Sequence, residues 1–162
     1  MSAKPLFQFP GQGSQAVGMG VNLAENFAEA RAVFAEVNDA LSEDLFTMMK
    51  DGPEDDLRLT RNAQPALFAS SMAALAVLHT ATGKNVADLA GCVAGHSLGE
   101  YSALAAAGTL SITDAARLLR QRGDSMQGAV PPGEGAMAAI LNAEESQIDE
   151  IIAEASAAGT IQ

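Results

Sequence analysis

Apolar and polar positions divide the 162-residue chain into short apolar runs and longer stretches with helical spacing. Residues 5–9 (PLFQF) form a short apolar run halted by Pro10-Gly11, which predicts a first strand and a turn. A glycine-rich loop, GQGSQ, follows. Over residues 26–41, Phe27, Ala30, Val33, Phe34, Val37 and Leu41 recur at helical spacing. Ser42 reads as the N-cap of a short helix carrying Leu45, Met48 and Met49, ended by Gly52-Pro53. Residues 54–60 are polar and read as irregular. Pro65 suits a first helical position. From it to Thr82 the chain is apolar nearly all round, as in a largely buried helix closed by Gly83.

The second half repeats the alternation of strand and helix. Residues 90–94 are short and apolar, consistent with a buried parallel strand. Residues 97–107 are helical by composition and Gly108 ends them. Ser111-Ile-Thr-Asp114 opens a further helix with a pattern close to a capping box, running to about Gln127. Val130 to Gly135 (VPPGEG) is the clearest linker in the chain. Beyond it, 137–141 reads as a strand, Asn142 as the cap of a helix over 144–157, and Thr160 to Gln162 as the start of another strand. One strand and one helix leave a sheet edge open, so the sequence reads as the N-terminal part of a longer enzyme. The predicted class is α/β with a parallel sheet.

Composition narrows the function. Hydrophobic residues make up 48% of the chain, which excludes disorder. Net charge is −11, from 20 acidic and 9 basic residues, which argues against nucleic acid or an anionic membrane as partner. No apolar run reaches the roughly 18 residues of a membrane span without polar or glycine interruption, and the N-terminus lacks a signal peptide's h-region. The expected compartment is the cytoplasm. Cys92 is the single cysteine, so an intrachain disulfide is excluded; within GCVAG it reads as a small buried hydrophobe. His79 falls in the long apolar helix and reads as structural.

The candidate chemistry centres on Gly95-His96-Ser97-Leu98-Gly99. With a strand before it and a helix after it, this G-x-S-x-G places Ser97 on a sharp turn, with small residues at both sides for close backbone approach. The helix N-terminus then offers N–H groups to an anion. GQGSQ lacks the G-K-[ST] ending of a nucleotide loop. In a parallel sheet it shares the C-terminal edge with Ser97, where N–H groups of Gln12 and Leu98 can form an oxyanion hole. His96 is not the base of Ser97, because adjacent side chains on a turn diverge and a base must reach Oγ at about 2.6–3.2 Å. Arg122 reads two ways: as a carboxylate anchor, since a guanidinium stays charged when desolvated and grips a carboxylate bidentately, or as a cation favoured near the C-terminus of its helix.

FPGQGSQ, QPALF, GHSLGEYSAL and RQRGDSMQ, in this order and spacing, resemble the malonyl-CoA:acyl-carrier-protein transacylases of fatty acid synthesis, with polyketide synthase acyltransferase domains as relations. The resemblance covers essentially the whole chain, and Met1 so close to GQGSQ favours the stand-alone enzyme. It implies an α/β-hydrolase-like core with a small ferredoxin-like subdomain inserted. Residues 1–129 would be the N-terminal part of that core, 130–135 a linker, and 136–162 the first strand and helix of the subdomain. It implies Ser97 as acylated nucleophile, Gln12 and Leu98 N–H as oxyanion donors, Arg122 on the malonyl carboxylate, Gln64 near the site, and His96 shaping the pocket or hydrogen-bonding the acyl substrate. Substrates would be malonyl-CoA and the phosphopantetheine of acyl carrier protein, with no metal and no further cofactor.

The family's base histidine comes from later in a longer chain, and no residue here matches it. The expectation is therefore a first half, completed by a C-terminal half or second fragment and inactive alone. Two other readings stand beside this one: a serine hydrolase of α/β-hydrolase or patatin type, and a non-catalytic fragment that docks carrier protein.

Overall fold

The computed structural model describes residues 4–129 and 141–159, and the chain divides into two compact units, Met1–Val130 and Pro131–Gln162. In the first unit two short strands, β1 (Leu6–Phe9) and β2 (Cys92–Gly95), pair in parallel, with Leu6 opposite Cys92 and Phe9 opposite Gly95. The other elements of the described unit are helices: α1 (Val21–Asn26), α2 (Ala28–Leu41), α3 (Leu45–Asp51), α4 (Glu54–Arg58), α5 (Thr60–Thr82), α6 (Val86–Leu89), α7 (Gly99–Ala106) and α8 (Ile112–Gln127). The class is α/β, with a small parallel sheet and mostly helices.

Helices α2, α5 and α8 form the centre of the unit. The apolar stripe of α2 buries Ala30, Val33, Phe34 and Val37. Phe68 of α5, Leu45 and Met49 of α3, Leu57 of α4 and Leu119 of α8 are all fully buried, each contributing about 1.5–3 kcal/mol through burial. Phe34 and Phe46 stack with ring centroids 4.4 Å apart. By length and composition α5 could cross a membrane. Its buried residues, Asn62 to Ala69 with Met72 and Ala73, instead make it a core helix of this fold.

Several sequence expectations shift. Ser42 is the left-handed C-cap of α2, and Asp44 caps α3 by accepting from the Thr47 N–H. The Asp44 carboxyl lies below its ordinary pKa because the Thr47 side chain and backbone N–H favour its charged form. Residues 54–58 form α4, whose first turn carries Glu54, Asp55 and Asp56; acidic residues there suit the positive end of the helix. Gly20 and Val21 open α1, a helix too short to give a periodic signal.

Pro65 lies at the sixth position of α5, not the first. An interior proline has no N–H for the carbonyl four residues back, here Arg61. That carbonyl accepts instead from Arg120 Nη1 of α8 at 2.6 Å. Arg120 also donates to Asn62 Oδ1 at 2.7 Å and to Glu43 Oε2 at 2.6 Å. Burial lowers the Arg120 pKa, and the Glu43 carboxylate opposes that shift. Arg61 Nε in turn lies 2.8 Å from Asp124 Oδ1, an ion pair whose angle falls short of a hydrogen bond. The proline therefore opens a socket that locks α8 onto α5.

Cys92 and His79 are exposed, contrary to the sequence reading. Cys92 begins a strand with one described neighbour, and β2 alternates exposed and half-buried positions instead of being buried throughout. His79 sits in the last turn of α5, beyond its buried stretch, with Nδ1 3.1 Å from the Lys84 carbonyl.

In the second unit α9 (Glu145–Ala157) has Glu144 as its cap, through a reciprocal bond with Gln147. Asn142 precedes the cap by two residues. The linker expected at 130–135 and the strand expected from Thr160 lie outside the described residues, as does the strand at 137–141, Leu141 apart.

Candidate active site

Both candidate loops leave the same edge of the sheet. β1 ends at Phe9 and β2 at its register partner Gly95, so Gly11-Gln12 and His96-Ser97 follow the carboxyl ends of paired parallel strands, where α/β sheets bind ligands. The His96 N–H donates to the Phe9 carbonyl at 3.2 Å and ties the two turns together.

The elbow depends on its glycines. A Cβ on Gly95 would lie 1.9 Å from the Gly99 carbonyl, and one on Gly99 would lie 2.5 Å from the Phe9 carbonyl oxygen. No side chain fits at either place, so β2 turns into α7 within three residues. Ser97 occupies the apex with φ +55°, left-handed backbone that a non-glycine residue adopts at a cost. It precedes the helix, which begins at Gly99 with Leu98 as its cap, two residues later than the sequence reading placed it.

Ser97 Oγ accepts a hydrogen bond from Arg122 Nη2 at 3.0 Å. The other arm of the guanidinium, Nη1, donates to Gln64 Oε1 at 2.6 Å. Gln64 is fully buried, and its Nε2 donates to Met126 Sδ at 3.3 Å. Arg122 has only donors, so the amide must turn its oxygen toward it and its nitrogen toward the sulfur. Three residues expected at the site, Ser97, Arg122 and Gln64, are thus brought together by the turn between β2 and α7, by α8 and by α5.

The close approach of α8 makes this reach possible. A Cβ on Gly123 would lie 2.6 Å from Arg61 Cα and 2.9 Å from the Thr60 carbonyl oxygen. Glycine there lets α8 lie against the first turn of α5, and the adjacent Arg122 side chain spans from Gln64 to Ser97.

His96 turns elsewhere. Its ring lies against Gly11, where an added Cβ would meet His96 Nδ1 at 2.2 Å. Among the described residues, Arg122 is the recorded partner of Ser97 Oγ, and no histidine or carboxylate is. Nor are the N–H groups of Gln12 and Leu98 hydrogen-bonded among the described residues. No cluster of residues with metal-ligand chemistry occurs among them. A groove of about 730 Å³, lined by Met72, Leu75, Leu89, Val93, Ala106 and Ile112 among others, lies away from Ser97 and Arg122.

Two side chains without a sequence-derived role join this site. Thr60 Oγ1 accepts from Gln12 Nε2 at 3.1 Å, and the Thr60 N–H donates to Gln127 Oε1 at 3.3 Å. Gln127 and Met126 close the RGDSMQ segment; Thr60 lies between motifs, where sequence alone offers no signal.

The chain resembles proteins of one kind throughout. The family model described as "Acyl transferase domain" matches residues 6–159. The malonyl CoA-acyl carrier protein transacylase of Escherichia coli K12 is 45% identical over 150 residues, 93% of this chain and 47% of that protein. The crystal structure of the acyl-carrier-protein-S-malonyltransferase from Bartonella henselae superposes with a TM-score of 0.88 at 54% identity, covering 96% of this chain and 49% of that one. A malonyl-transacylase solved in complex with a type II polyketide synthase acyl carrier protein has a TM-score of 0.84 at 42% identity, covering 95% and 48%. The chain therefore spans about half the length of the relatives it matches. With the match running from β1 through the Ser97 elbow and Arg122 into α9, the chain belongs to the acyl transferase domain family.

Proposed function

We propose that this chain carries the nucleophile and the acid anchor of an enzyme that moves a malonyl group from CoA to the phosphopantetheine thiol of acyl carrier protein. The observation that carries the reading is Arg122, buttressed by Gln64 and reaching Ser97 Oγ at 3.0 Å. In a malonyl ester on Ser97 the free carboxylate stands three bonds from Oγ. A guanidinium already at the hydroxyl is placed to meet that carboxylate with a bidentate pair. The names of the relatives at 45% and 54% identity support the same substrate, and the carrier-protein complex of one relative supports the acceptor.

The steps follow from this placement. Ser97 Oγ attacks the thioester carbonyl and gives its proton to a general base. The N–H groups of Gln12 and Leu98 receive the developing oxyanion. The C–S bond breaks, and CoA leaves as its thiol with the proton returned by the base. The acceptor thiol then attacks the seryl ester by the same route and regenerates Ser97, a double-displacement cycle. His96, packed on Gly11, shapes the pocket wall and does not take the proton. The base comes from outside the described residues, in a further part of the same enzyme, so residues 1–162 alone do not turn over. Residues 1–129 then belong to an α/β-hydrolase-like core, 130–135 to a linker and 136–162 to a small ferredoxin-like subdomain. The proposed compartment is the cytoplasm.

Intact-mass analysis of the full-length protein with malonyl-CoA tests the reading. A malonyl adduct mapped to Ser97, lost in Ser97→Ala and discharged by carrier protein bearing phosphopantetheine, is the expected result. A full-length protein that hydrolyses malonyl-CoA but never transfers to the carrier overturns it in favour of a hydrolase.

A further inference from the structure

We infer that Thr60 is a positioning residue for the oxyanion loop, holding it to the same helix that carries the carboxylate anchor. The inference rests on the acyl-transfer reading of the site. Three observations combine in it. Gln12, whose N–H has no recorded partner among the described residues, sits in a loop exposed at its tip. Its side chain is held by Thr60 Oγ1 at 3.1 Å. Thr60 itself is the first residue of α5, and its N–H is held by Gln127 Oε1 of α8 at 3.3 Å.

Helix N-termini leave N–H groups without intrahelical partners, and side chains from elsewhere commonly satisfy them. Leu59, the cap of α5, contributes no side-chain bond. Gln127 therefore does for Thr60 what a capping side chain does elsewhere, and it anchors the first turn of α5, from which the Thr60 hydroxyl extends. The Gly123 contact brings α8 against this same turn, at the Thr60 carbonyl and Arg61 Cα. One rigid helix thus sets two distances at once: Arg122 to Ser97, and, through Gln127 and Thr60, the Gln12 loop to the elbow. An oxyanion donor works only when held 2.7–3.1 Å from where charge develops. The loop's own bonds, Gly13 N–H to Gln15 Oε1 at 2.8 Å and Ser14 Oγ to the Gly11 carbonyl at 3.2 Å, flank Gln12, and the bond to Thr60 is the one that ties the Gln12 side chain to α5.

The test compares Thr60→Val and Thr60→Ser in the full-length protein. Valine keeps the volume and the N–H to Gln127 but removes the acceptor for Gln12. Single-turnover malonylation of Ser97, per folded molecule, is expected to slow about tenfold in Thr60→Val, less than the 10²–10³ of deleting a donor. The malonyl-CoA concentration at half-maximal rate should stay within about twofold, because the carboxylate anchor is untouched. Thr60→Ser, which retains the hydroxyl, should recover the rate to within about twofold. Wild-type rates in Thr60→Val, a loss confined to substrate affinity, or a serine variant as slow as the valine one would each overturn the inference while leaving the acyl-transfer reading intact. A wild-type protein that forms no malonyl ester would overturn both.

Discussion

Arg122 Nη2 lies 3.0 Å from Ser97 Oγ, with its other nitrogen held 2.6 Å from the buried Gln64 amide. The distance joins residues 25 positions apart, and three local features create it. Gly95 and Gly99 fold the elbow tightly enough to raise Ser97 above the sheet edge. Gly123 lets α8 press against α5. Pro65 frees the Arg61 carbonyl, which Arg120 grips to hold α8 in place. The two arginines of RQRG thus divide the labour: Arg120 locks the helix, and Arg122 presents a charge at its open face.

On the proposed malonyl transfer, Arg122→Ala should abolish a preference for malonyl over acetyl thioesters. A carboxylate that loses a bidentate guanidinium in a partly desolvated site loses roughly 3 kcal/mol, about a hundredfold in rate. Arg122→Lys should recover only part of it, because an ammonium offers a point charge and not a planar fork. Acylation of Ser97 in full-length protein, measured with malonyl-CoA and acetyl-CoA side by side, checks both. Equal losses on the two thioesters would assign Arg122 to Ser97 alone and not to the carboxylate.

Much of this arrangement was legible in the chain. PLFQF, the 90–94 run and the helices ended by Gly83 and Gly108 carried strong periodic or punctuation signals. β1, β2, α2, α3, α7, α8 and α9 formed within a few residues of expectation, whereas α4 formed where an irregular segment was expected and α1 and α6 gave no signal. The family resemblance carried Ser97, Gln64 and Arg122 to one site, and the fold brings their side chains into contact. The shifts have physical causes. Pro65 looks like a helix start because proline is welcome there; only Arg120, 55 residues later, makes an interior position acceptable. Ser42 and Asp44 both suit a cap, and the choice fell to the residue whose carboxylate faces the Thr47 N–H. Cys92 and His79 look buried by their neighbours' hydrophobicity, but the first residue of β2 and the last turn of α5 are left exposed among the described residues. Thr60 was invisible, since its hydroxyl acts through tertiary contacts alone.

The left-handed backbone at Ser97 makes a comparison of two variants informative. Alanine normally stabilises relative to glycine by roughly 0.5–1 kcal/mol in regular structure. At φ +55° the Cβ costs about 1–2 kcal/mol, which reverses the order. Ser97→Gly should therefore be more stable than Ser97→Ala by roughly 0.5–1 kcal/mol in chemical denaturation, with neither forming an acyl-enzyme. An alanine variant more stable than the glycine one would mean that the elbow carries no strain at its apex.

Asp44 gives a pH-dependent contribution of predictable sign. Its folded-state pKa is depressed, chiefly by the bonds to Thr47. Its stabilisation is therefore fully present above the unfolded value of about 3.9 and is lost as pH falls through the lower folded value. The melting-temperature difference between wild type and Asp44→Ala should be constant near neutrality and shrink below about pH 4. A difference that grew on acidification would require a partner other than the α3 N-terminus.

Arg120→Met separates the lock from the anchor. Methionine matches much of the arginine stem in volume, so packing against α5 is largely preserved. What is lost is the set of donors to the Arg61 carbonyl, Asn62 Oδ1 and Glu43 Oε2. A buried carbonyl left unpaired costs about 1–3 kcal/mol, and here proline at position 65 prevents the helix from satisfying that carbonyl itself. The variant should lose roughly 2–3 kcal/mol of stability. Introducing Pro65→Ala alongside restores an N–H for the Arg61 carbonyl, so the double variant should recover part of that loss. Denaturant midpoints of the two single variants and the double one form a cycle with a favourable coupling between positions 65 and 120. Strictly additive effects would show that the Arg120 contact is incidental to the missing proline N–H, and that α8 is held by its other contacts with α5.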